Sequence, residues 1–162
     1  MILGMSVEAF TTLHVVISLL AIAAGLVVLV AMSGGRHLGA MTGFFLLTTI
    51  LTSVTGFFFP LKAIGPPHIF GVISLVALAI SLVALYGRKL NGVWRSAYIV
   101  TAVLSLYLNC VVLVVQSFQK IPALNAFAPK GSEPPFLIAQ GVTLVVIGYL
   151  AFLALRRYRP VL

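Results

Sequence analysis

Long apolar runs separated by short polar breaks set the pattern of this chain. The runs cover 9–32, 38–59, 68–87, 95–118 and 135–155. At 1.5 Å of rise per residue, each is long enough to cross roughly 30 Å of hydrocarbon. The breaks are rich in residues that stop helices: Ser33-Gly34-Gly35-Arg36-His37, Pro60, Gly65-Pro66-Pro67, Arg88-Lys89-Leu90-Asn91-Gly92 and the closing Arg156-Arg157-Tyr158-Arg159-Pro160. No run shows the ten-residue alternation of a membrane barrel, and an isolated strand in lipid leaves its backbone unpaired. The expected fold is all-α: a single domain over 1–162, built as a polytopic bundle of five transmembrane helices. The loop at 119–134 carries Ile121, Leu124, Ala126 and Phe127, with Pro122 placed for a first turn. It is expected to form a short amphipathic helix across the outer mouth of the bundle.

Composition supports the lipid reading. Hydrophobic residues make up 62% of the chain and charged residues 7%, against about 25% charged in a soluble domain. The net charge of +8 does not point to nucleic acid, because the basic residues sit in short turns rather than on one continuous face. They read instead as topology signals. With five spans, Arg36, Arg88, Lys89, Arg95, Arg156, Arg157 and Arg159 fall on one side, and Lys62, Lys120 and Lys130 on the other. The richer side is expected in the cytoplasm, which places the N-terminus outside and the C-terminus in the cytoplasm. No basic residue precedes the first run, so that run is expected to be an uncleaved span rather than a signal peptide. The lone Cys110 excludes an internal disulfide.

In lipid, small and polar residues mark packed faces. His14, Ser18, Ala21 and Gly25 share a stripe on the first span, and Thr48, Thr52 and Thr55 on the second, which also begins with a Gly39-x-x-x-Gly43 pair. On the third, Ser74, Ala77, Ser81 and Ala84 form one stripe and His68, Gly71, Leu75 and Ala79 another, so this span is expected at the centre. Tyr98, Ala102, Ser105, Asn109, Val112 and Gln116 line up on the fourth. Gly141 and Gly148 are expected to mark a close contact on the fifth. The simplest role for the threonines is a bond to the carbonyl one turn back. Phe57-Phe58-Phe59, Trp94 and Tyr158 are expected as interfacial anchors, and Arg36-His37 as a solvated turn.

Depth selects the candidate site. His14, Thr52, Thr55, His68, Asn109, Gln116 and Gln140 all belong to the half of the bundle expected outside. Buried imidazoles and amides are costly without partners, so His14, His68, Asn109 and Gln116 are expected to converge on one pocket. Two histidines on different spans are the donor set for haem b, with Lys62, Lys120 or Lys130 for its propionates. The same pocket, with Asn109 and Gln116 as hydrogen-bond donors and Thr52 and Gln140 in the same half, suits a quinone head group. Mutual hydrogen bonding that merely locks the bundle is the ligand-free alternative.

The segments Leu106-Tyr107-Leu108-Asn109, 116–124 and 128–136, with Thr55-Gly56-Phe57-Phe58-Phe59-Pro60 and Pro67-His68-Ile69-Phe70-Gly71, resemble a group of small, uncharacterised bacterial integral membrane proteins. A looser likeness, to another such family with an Arg-His-x-x-Gly turn, rests on Arg36-His37-Leu38-Gly39. The first resemblance implies a bacterial inner-membrane protein and carries no activity. Phosphate loops, His-Glu-x-x-His and Cys-x-x-Cys are missing, and the only carboxylates, Glu8 and Glu133, lie outside the runs. A carboxylate proton relay therefore lacks its parts. The expected function is a redox-linked binding or accessory subunit, rather than an enzyme acting alone. The alternatives are a scaffold subunit without ligand and, ranked last, a small channel or carrier. Expected partners are the bilayer and either other membrane subunits or further copies of the chain.

Overall fold

A computed structural model of the chain describes residues 1–60 and 65–162. Lys62 lies outside the described residues. The order is α1 (Val7–Ser33), α2 (Gly39–Gly56), α3 (Pro66–Leu82), a π-helical turn (Val83–Gly87), α4 (Val93–Lys120), α5 (Pro122–Phe127) and α6 (Pro134–Arg157). Five helices are long and apolar enough to cross a membrane, α3 and its π turn counting as one. No β-strand occurs among the described residues.

Local chemistry sets the ends. Ser6 caps α1 by accepting the Ala9 N–H at 3.1 Å. Prolines start α3, α5 and α6, where their missing N–H costs nothing. Helix α2 stops at Gly56 rather than at 59, because Phe57 and Phe58 tighten into bonds to the Val54 and Thr55 carbonyls.

Successive spans run antiparallel. α1 packs on α2, α2 on α3, α3 on α4, and α4 back on α1, while α6 lies in the cleft between α1 and α4. The centre is therefore α4 and not α3. The small-residue stripe of α3 does pack, with Ser74, Ala77, Ser81 and Ala84 all buried. It meets Ser53 of α2 through Ser74 at 3.2 Å and Thr101 of α4 through Ser81 at 2.7 Å. The second stripe packs only in part: a β-carbon on Gly71 would lie 2.9 Å from the Phe57 ring, whereas Ala79 is exposed. The waist of the bundle is at Gly25, where a β-carbon would lie 2.7 Å from both Leu106 and Phe45.

The expectation for the other glycines fails. Nothing lies within 4 Å of a β-carbon built on Gly141 or Gly148, so neither marks a close contact. Gly39 and Gly43 face the side chains of His37 and Tyr86 rather than a neighbouring backbone. Helix α5 exists, but it packs against the end of α4, buries none of its residues, and leaves Phe127 67% exposed. A lid over the mouth would need Leu124 and Phe127 covered; with only six residues, α5 is too short to bring them there.

Candidate functional site

The antiparallel order collects polar groups at both ends of the bundle. The N-terminal face holds the start of α1, the end of α2, the starts of α3 and α6, and the end of α4. The C-terminal face holds the opposite ends and carries Arg36, Arg88, Lys89, Arg95, Arg156, Arg157 and Arg159.

At the N-terminal face the two imidazoles are held differently. The Thr55 hydroxyl donates to the Leu51 carbonyl at 2.7 Å, so it accepts from His14 Nδ1–H, also at 2.7 Å. That fixes the tautomer and leaves the lone pair on Nε2. His68 caps its own helix: the Gly65 N–H donates to its Nδ1 at 3.4 Å, which puts the proton of a neutral ring on Nε2. Each ring also rests on a different phenylalanine of one turn, His14 on Phe59 at 5.2 Å and His68 on Phe57 at 6.1 Å between centroids. Phe59 further stacks edge-on against Phe10. The Phe57-Phe58-Phe59 triplet thus touches both imidazoles through Phe57 and Phe59 while Phe57 and Phe58 stay exposed, Phe58 the more so.

The amides make no hydrogen bond to the imidazoles among the described residues. Asn109 shares the inward face of α4 with Tyr98 and Ser105, both fully buried, and its Nδ2 is buried with no hydrogen-bond partner. Gln116, on the same face, makes no hydrogen bond among the described residues. Gln140 belongs to another seam: its Nε2 donates to the Val111 carbonyl at 3.2 Å, joining α6 to α4, and its Oε1 is buried without a donor. Thr52 donates to the Thr48 carbonyl at 2.9 Å, as Thr48 and Thr55 do one turn back along α2. No hydrogen bond joins His14, His68, Asn109 and Gln116 to one another among the described residues. Among the described residues no group of three or more His, Cys, Asp or Glu side chains gathers to hold a metal.

The C-terminal face is where sequence reasoning missed most. Tyr158 is fully buried, not an interfacial anchor, and its hydroxyl lies 2.6 Å from His37 Nδ1. Burial pushes its phenol up to about 12. His37 is accordingly half-buried and bonded rather than part of a solvated turn. Arg95 donates through one guanidinium nitrogen to the Leu155 and Tyr158 carbonyls, at 2.9 Å each, satisfying the end of α6. Arg157 reaches the Ser33 carbonyl at 3.5 Å, and the Tyr98 hydroxyl lies toward Thr42 without a well-formed hydrogen bond. Trp94 sits under the Arg88 guanidinium at 5.3 Å. The signal for this cluster was present: a histidine just before one helix and a tyrosine directly after the last.

Two cavities adjoin these groups. One, of about 210 Å³, is lined by His37, Gly39, Leu85, Tyr86, Lys89 and Leu162. The other, of about 270 Å³, is an apolar groove between α4 and α6 that includes Tyr107, Leu144 and Gly148. No protein-family model, curated protein or solved structure matches this chain.

Proposed function

We propose that the chain is a multi-pass protein of the bacterial inner membrane, N-terminus outside, that serves as a redox-linked binding subunit for a quinone head group. The observation that carries this reading is the partnerless Nδ2 of Asn109 on the inward face of α4. A buried amide donor without an acceptor costs about 1–3 kcal/mol, and a ligand carbonyl removes that cost. Gln116, further along the same face, is a second donor. His14, with Nδ1–H committed to Thr55, offers Nε2 as acceptor for a quinol hydroxyl.

Haem b is less well supported than quinone. Axial ligation needs a ring lone pair, and His68 has its Nδ1 occupied by the Gly65 N–H. Phe57 and Phe59 also stand against the two rings. The test is an organic extract of the purified chain, analysed for quinone, beside reduced-minus-oxidised spectra of wild type, His14→Ala and His68→Ala. Quinone near one per chain, lost in Asn109→Leu, is expected. A haem spectrum abolished by either histidine variant replaces quinone with haem.

A scaffold subunit without ligand is the second reading. Its support is α6, in which only Ile147 and Ala154 are buried while Gly141 and Gly148 face open space. Small residues on an uncovered membrane helix suit a neighbouring helix. A chain free of quinone and haem that co-purifies with a partner helix, lost on Gly148→Leu, decides for this reading.

A further inference from the structure

The cavity at the C-terminal face has no part in the proposed quinone site. Its walls are the start of α2, the π turn that ends α3, and the last residue of the chain. The lining residues with polar side chains are Lys89, His37 and Tyr86, and Leu85, Leu162 and Gly39 complete the wall. His37 is oriented by Tyr158 at its Nδ1, and its Nε2 lies 3.5 Å from the point where a β-carbon on Gly39 would sit. A phenol donating to Nδ1 leaves Nε2–H as the donor beside the cavity.

The backbone is bent to put Lys89 there. The π turn is followed by Lys89 at φ 46° and Leu90 at φ 57°, a left-handed pair without glycine. Leu90 is buried, and its N–H bonds the Ala84 carbonyl at 2.9 Å, which holds the strained turn. Leu38 supplies no side-chain cap, so the positive end of α2 opens on the same space. Neither acidic side chain of the protein is on this face: Glu8 lies in the first turn of α1 and Glu133 caps the start of α6.

We propose that this cavity is a phosphate-binding site, in which Lys89 and His37 Nε2–H hold a phosphate group while Leu85 and the Tyr86 ring line the carbon attached to it. A cation and an oriented N–H donor give charge-assisted bonds to phosphate oxygens. A basic pocket between spans matches the chemistry of an anionic phospholipid headgroup, and inorganic phosphate shares that chemistry.

The test is thermal unfolding of the full-length, delipidated protein in detergent, titrated with phosphatidylglycerol, with phosphatidylcholine, or with inorganic phosphate. Phosphatidylglycerol is expected to raise the midpoint saturably and phosphatidylcholine not to. A rise with inorganic phosphate at millimolar concentration identifies the free anion as the source; no rise identifies the lipid. Lys89→Gln is expected to weaken half-saturation roughly tenfold, the scale of one charge-assisted bond. Lys89→Gly serves as the second variant, since it relieves the positive φ and folds at least as well while lacking the cation. Arg159→Gln removes a basic residue of the same face outside the cavity and is expected to leave the titration unchanged. Equal response to the two lipids with none to phosphate overturns the site. So does a loss in Arg159→Gln as large as in Lys89→Gln, which makes the attraction diffuse.

Discussion

The two ends of the bundle are held by different chemistry. At the C-terminal face, Arg95, Arg157 and the His37–Tyr158 pair tie the ends of α1 and α6 to α2 and α4 through charged or buried hydrogen bonds. At the N-terminal face, rings do most of the joining: Phe10 on Phe59, Phe118 edge-on to Phe136 at 5.5 Å, and each imidazole on a phenylalanine. Directional bonds fix a geometry, whereas aromatic edges tolerate displacement by several tenths of an ångström. Two buried amide atoms at the N-terminal half have no partner. The C-terminal half leaves one buried polar atom without a partner, the Tyr98 hydroxyl, against two amide atoms in the other half.

The strongest way to break this contrast is Arg95→Ala. It removes both bonds to the end of α6, and a loss of about 2–4 kcal/mol is expected from hydrogen bonds to a charged donor. Denaturant titration in detergent micelles reads it, and Arg95→Lys restores only part because an ammonium lacks the planar fork. The contrast sharpens with Asn109→Leu, where the expected sign is opposite. Without ligand, removing the orphan amide stabilises the protein by about 1–2 kcal/mol in the same assay. Tyr158→Phe keeps the packed ring and deletes the bond to His37, with an expected loss of about 1 kcal/mol.

A further effect is one of pH. Burial raises the Tyr158 phenol from 10.0 to about 12 in the folded protein. The neutral phenol therefore contributes its full stability below pH 10, where the unfolded chain is also protonated. That contribution is lost as the pH rises from 10 through about 12. Ultraviolet difference absorption at the phenolate band should show an ionisation step over this range that Tyr158→Phe removes. Hydrogen exchange at the end of α6 should accelerate over the same range.

The spans were legible because their signal is additive over some twenty residues, and single substitutions cannot hide it. All five helices occur where hydropathy places them, with ends moved by a few residues. The threonine stripe was legible for a related reason, since a hydroxyl in a helix finds the carbonyl one turn back without help from other elements. What was not legible depends on which helix faces which. Gly141 and Gly148 carry a packing signature, yet nothing lies within 4 Å of a β-carbon built on either. Tyr158 and Arg95 look like ordinary boundary residues until α6 folds against α4. His14 and His68 share a depth, but depth does not show that each ring is engaged by its own neighbours. Asn109 was rightly placed on an inward face, and its lack of a partner is a property of the assembled bundle alone.

The position of α6 has a consequence for biogenesis. Helices α1 to α4 close a ring of contacts among themselves, and α6 adds from outside into the cleft between α1 and α4. A chain emerging from its N-terminus can therefore complete the ring before its last span is made. Until that span arrives, the Arg95 guanidinium has neither of its two carbonyls, and a charge at the membrane edge without acceptors stays with water. Docking of α6 is then the event that draws Arg95 inward and buries Tyr158. The same two residues of the C-terminal face find their partners only once α6 has docked.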